Sequence, residues 1–63
     1  MRESLAPALL DVPEAARYLG LGKTKVYQLL APGGPLRAIR IGRAVRIARQ
    51  DLDAYVARLR EEA

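Results

Sequence analysis

The segment from Leu10 to Arg60 predicts an α+β fold: two short helices, a two-stranded hairpin and a closing helix. Three observations carry that reading. A capping pattern opens at Asp11 and an apolar stripe follows it. An alternating isoleucine/arginine run spans Ala38 to Ile47. Finally, Leu52, Tyr55, Val56 and Leu59 repeat at i, i+3, i+4 and i+7, the spacing of one helix face.

Residues 1–9 read as a flexible lead-in, 10–60 as one domain and 61–63 as a tail. In Asp11-Val12-Pro13-Glu14, Asp11 is an N-cap and Glu14 can reach back to its amide, a capping box. Pro13 falls in the first turn, where a missing N–H costs little. Ala15, Ala16 and Leu19 supply the apolar stripe, Val12 stands at its entrance, and Gly20 ends the helix. Leu21 is apolar inside a turn, which suggests a plug for the core. Gly22 is an acceptable N-cap for a second helix over about Lys23–Leu30. Val26, Leu29 and Leu30 face inward there and Lys23, Thr24, Lys25 and Gln28 outward. Pro32-Gly33-Gly34-Pro35 stops it. No strand precedes Gly33-Gly34 and no Gly-Lys-Ser/Thr follows, so it is not a phosphate loop.

In the alternating run, Gly42-Arg43-Ala44 reads as the hairpin tip. Ile39, Ile41, Val45 and Ile47 then share one face, and Arg40 and Arg46 project from the other. A lone hairpin is marginal in water, so the isoleucine face is expected to pack on the helices. The third helix runs from about Gln50 to Arg60. Asp51 and Asp53 read as acids of its first turn, stabilised by the helix dipole, rather than as catalytic acids or a cation site.

Composition narrows the function. The chain has 63 residues with neither cysteine nor histidine, which removes disulfides, thiolate nucleophiles and the usual zinc sites. Nothing in it suggests an enzyme, because no acids converge and so small a chain lacks a deep pocket. No cofactor or metal is expected. No apolar run approaches the roughly 20 residues that span a bilayer, and the start does not resemble a signal peptide. A cytoplasmic location is the default expectation.

The net charge is +4, and its distribution is more telling. Every acid lies near an end: Glu3, Asp11 and Glu14, then Asp51, Asp53, Glu61 and Glu62. The stretch between holds Arg17, Lys23, Lys25, Arg37, Arg40, Arg43, Arg46 and Arg49. A polyanion is its natural partner, through release of counterions.

The two helices have the spacing of a DNA-reading helix-turn-helix. Ala16 lets the second helix cross close, Gly20 four places on permits the turn, and Val26 six further fills the gap. Such a motif holds its second helix proud, to enter a major groove about 12 Å wide. Lys23 and Lys25 suit phosphates or a guanine edge. Thr24 suits a phosphate or a thymine methyl, and Gln28 suits adenine. Tyr27 can pack on the wing or turn its hydroxyl to the DNA backbone. Arg43 at the tip, with Arg40 and Arg46, suits a minor groove, whose potential favours arginine. Arg40 and Arg46 could instead keep an edge strand soluble. The architecture expected is a winged helix-turn-helix.

The stretch Leu10-Asp11-Val12-Pro13-Glu14-Ala15-Ala16-Arg17-Tyr18-Leu19-Gly20 resembles the opening of the excisionase family of small DNA-binding domains. Lys25 to Leu30, Arg40-Ile41-Gly42-Arg43, Arg46-Ile47, Asp51-Leu52 and Tyr55 continue the resemblance, which covers about Leu10 to Leu59. It implies kinship with MerR-like regulators, a recognition helix in the major groove and a wing on the adjacent minor groove. It implies double-stranded DNA as partner, bending of that DNA, and side-by-side copies binding cooperatively. It further implies a recombination directionality factor that biases an integrase of a phage or plasmid-like element towards excision.

A small prophage-type transcription regulator of the same fold is the alternative. A protein-interaction module with a basic face is a second. Gly22 and Ala48 stand where the family often carries serine or threonine caps, which implies modest stability. With no long dimerisation helix and no effector domain, the chain is not expected to sense a small-molecule effector.

Overall fold

The computed structural model describes residues 7–63; residues 1–6 of the expected lead-in lie outside it. The order of elements is β1 (Leu9–Leu10), α1 (Val12–Leu19), α2 (Lys23–Leu30), β2 (Ile39–Ile41), β3 (Ala44–Ala48) and α3 (Arg49–Glu62). The α+β class, the two helix boundaries of the motif and the hairpin follow the sequence reading.

α1 starts as its residues dictate. The Asp11 carboxylate accepts from the Glu14 amide at 2.9 Å, and the Glu14 carboxylate accepts from the Asp11 amide at 2.9 Å. Together they satisfy two otherwise free donors. Gly20 closes the helix at φ 73°, its amide donating to the carbonyls of Ala16 and Arg17. α2 and α3 both begin without a side-chain cap, on Gly22 and Ala48.

The sheet has three strands in the order β1-β3-β2, not two. Leu9 pairs with Ala48 and Leu10 with Ile47, so Leu9 belongs to the sheet rather than to a free lead-in. Two residues with no turn signal between them are too short a strand for periodicity to reveal. Residue 49 ties the same segment down further, with its amide donating to the Ala8 carbonyl at 2.8 Å.

The hairpin register departs from expectation. Ile39 pairs with Arg46, Arg40 with Val45 and Ile41 with Ala44. The connection therefore has two residues, Gly42 and Arg43, rather than three. Gly42 takes φ 59° while Arg43 keeps a negative φ, the pattern of a type II′ turn with glycine first. Directly opposed residues share a face, and a slip of one residue turns every side chain over. Val45 and Ile47 consequently share a face with Arg40, not with Ile39 and Ile41. Ile41 is 54% exposed while Ile47 is fully buried.

One core lies beneath the Ile47 face. It joins Leu10, Val12, Ala15, Ala16, Val26, Leu29, Leu36, Ile47 and Leu52, with Leu19, Leu30 and Tyr55 at its margin. Full burial of a side chain such as Ile47 or Leu52 contributes about 1.5–3 kcal/mol. Leu36 enters this core because the loop after α2 folds back, its amide donating to the Leu29 carbonyl at 3.1 Å. Gly34 makes that fold possible. A Cβ there would sit 2.3 Å from the Leu29 carbonyl oxygen.

The apolar pattern overreaches at three residues. Leu21 is 40% exposed, so it does not plug the core. Val56 and Leu59, 38% and 45% exposed, stand beyond it. α3 outruns the body it packs on, and its apolar stripe continues past its last neighbour. Among the described residues, no helix is long and apolar enough to cross a membrane.

Candidate nucleic-acid interface

α2 is seated by Val26 and Leu29, both buried, with Leu30 half-buried beside them. At about 100° per residue, Thr24 and Gln28 each lie about 160° around the axis from Val26. They form the crest of the helix. Lys25 and Tyr27 flank the crest, each about 100° from Val26. All four are exposed, as is Lys23 at the start. Tyr27 is 61% exposed.

Small residues explain how the crest is held outward. Ala16 is 4% exposed and Val26 fully buried, so the crossing of α1 and α2 is close. The turn is stitched by the Leu21 amide, which donates to the Ala16 carbonyl at 2.9 Å. These are the three roles the spacing assigned to Ala16, Gly20 and Val26.

The wing does not carry its three arginines on one face. Arg43 occupies the second turn position at the tip and is exposed. Arg40, also exposed, shares the face of Val45 and Ile47, the face on which the helices pack. Arg46 points from the opposite face beside Ile39. It is half-buried, and its Nη1 donates to the Val45 carbonyl at 2.9 Å. The expectation that Arg40 and Arg46 project together is thus corrected by the two-residue turn.

Of the eight cations between the acidic ends, Arg49 has a structural task. Its Nη1 lies 3.9 Å from Asp53, and its Nε donates to the Pro7 carbonyl at 3.3 Å. Asp53 also accepts from the Tyr18 hydroxyl at 2.5 Å, bridging α1 and α3. That hydrogen bond holds the hydroxyl above the ordinary tyrosine range. Asp51 does lie in the first turn of α3, whereas Asp53 has this second role. Among the described residues, no other cation has an acidic partner within salt-bridge distance.

Arg17 is the first cation of the acid-free stretch that the charge pattern matches to a polyanion. It lines a shallow cleft with Pro13, Ala16, Leu21, Gly22 and Lys23, at the turn between the two helices.

A close-packed helix pair, an exposed second helix and a hairpin beyond it define a winged helix-turn-helix module. The chain belongs to the helix-turn-helix domain family, whose model matches residues 9–60. It is similar to a protein of Saccharopolyspora erythraea named "Probable excisionase", with 55% identity over 51 residues. That match covers 81% of this chain and 51% of the relative, so the chain spans about half the relative's length. No solved structure matches the chain. Both matches support the resemblance to the excisionase family that the sequence motifs carry.

Proposed function

We propose that the chain is a sequence-specific double-stranded DNA-binding protein that acts as an excisionase, a recombination directionality factor for an integrated phage or plasmid-like element. The observation that carries this reading is the crest of α2. Thr24 and Gln28 stand farthest from the core, with Lys23, Lys25 and Tyr27 around them and no acid within the helix. Hydroxyl and amide side chains read base edges, while lysines neutralise phosphates. The similarity to a protein named a probable excisionase supports the recombination role over others that share the fold.

In this reading α2 enters the major groove and the wing meets the adjacent minor groove through Arg43 and Arg40. Arg46, turned to the far face and bonded to the Val45 carbonyl, stays outside the interface. The chain contributes binding and bending of the duplex, the integrase performs the chemistry, and copies bind side by side.

Mobility-shift titration on duplexes tiling the protein's own locus tests the reading. One region should shift at a salt concentration where scrambled duplex of equal length does not. Adding the chain to the element's integrase should then raise the yield of excised circle. Equal affinity for every duplex, or no effect on excision, contradicts the proposal.

A further inference from the structure

The cleft between α1 and α2 combines two kinds of surface. Its floor is apolar, formed by Pro13, Ala16 and the partly exposed Leu21. Its sides carry Arg17 and Lys23, both exposed. No acid lines it, and Glu14, the nearest in sequence, is committed to the Asp11 amide. Among the described residues, neither Arg17 nor Lys23 has an acidic partner within salt-bridge distance. A leucine left 40% exposed between two free cations is an odd arrangement for a merely solvated turn. It suits a ligand that joins an anion to an apolar patch.

From this we infer that the cleft seats one sugar–phosphate step of the DNA backbone, at the rim of the groove that α2 enters. The phosphate lies between Arg17 and Lys23, and the deoxyribose covers Leu21 and Pro13. The inference rests on the proposed DNA-binding function and adds Arg17 and Leu21 to it. The placement follows from continuity, because Lys23 is both a wall of the cleft and the first residue of α2. A backbone contact carries no sequence information; it sets the register of the helix in its groove. Leu21 is thereby left exposed at the place where the sugar covers it.

The test uses the full chain and a fluorescent duplex from the region it prefers, with a scrambled duplex alongside. Affinity is measured across salt concentrations for wild type, Arg17→Ala, Arg17→Lys and Arg60→Ala. Each phosphate neutralised contributes about 0.9 to the slope of log K against log salt. Arg17→Ala should lower the slope by about that amount and weaken both duplexes by the same factor. Arg17→Lys should restore the slope. Arg60→Ala, on the last turn of α3 and outside the cleft, should match wild type.

A scan of single methylphosphonates, which remove one backbone charge at a time, locates the contact. Wild type should lose affinity at one position where Arg17→Ala is indifferent. Thermal melting establishes that each variant is folded. Suppose wild type prefers its own locus, while Arg17→Ala keeps the wild-type slope or the wild-type sensitivity at every backbone position. The cleft is then not a backbone site, and the DNA-binding reading stands without it. If wild type prefers no duplex, both fall.

Discussion

Arg40 stands opposite Val45 across the wing, and Arg46 stands opposite Ile39, so the two arginines leave the sheet on opposite faces. Only the Arg40 face is the one the helices pack on. Arg40→Ala and Arg43→Ala should each lower the salt slope of DNA binding by about 0.9. Arg46→Ala should change it by less than about half of that. Fluorescence anisotropy at several salt concentrations checks the ranking, and equal effects from Arg40 and Arg46 would contradict it.

The hydrogen bond from Tyr18 to Asp53 couples α1 to α3 and gives stability a dependence on alkaline pH. The Tyr18 hydroxyl is held above its ordinary range by the Asp53 carboxylate, so the folded chain keeps this proton more tightly than the unfolded chain. The resulting contribution is complete below the unfolded pKa of about 10 and is lost as pH rises through the higher folded value. Melting between pH 8 and pH 11 should therefore show a steeper fall in Tm for wild type than for Tyr18→Phe. The group is exposed, so the difference should be small. Parallel curves would show that the bond does not persist in solution.

Leu52 and Leu59 share the apolar stripe of α3 but not its environment. Leu52 is fully buried and Leu59 is 45% exposed. Leu52→Ala should cost about 2–5 kcal/mol, a large share of the stability of so small a domain. Leu59→Ala should stay within about 0.5 kcal/mol of wild type. Urea unfolding followed by circular dichroism distinguishes them.

Ala48 begins α3 in extended backbone, φ −69° and ψ 131°, with no side chain to meet the free amides of the first turn. Ala48→Ser supplies an oxygen at that position and should raise stability by about 0.5–2 kcal/mol. A higher urea midpoint with unchanged DNA affinity is the expected result.

How far the residues themselves foretold the structure depends on the range of each signal. The Asp11–Glu14 box, the Gly20 stop and the bounds of α2 were legible because each is a local rule acting within about one turn of helix. The crest of α2 followed from period alone. The hairpin register was not legible. It turns on whether Ala44 belongs to the turn or to the strand, and with a period of two that choice inverts a whole face. Likewise, the repeat at Leu52, Tyr55, Val56 and Leu59 marks a helix face but not where its neighbours end. Leu36 and the pairing of Leu9 with Ala48 depend on how the chain folds back, which no short window contains. Arg17 was visible as a charge; only the cleft it lines with Leu21 and Lys23 gave it a place.

In the proposed function, the crest of α2 reads bases. Competition between locus and scrambled duplexes for wild type, Gln28→Ala and Thr24→Ala tests it most directly. Each substitution should narrow the gap between the two duplexes by about 1–3 kcal/mol while affinity for scrambled DNA barely changes. Variants that discriminate as well as wild type would contradict it.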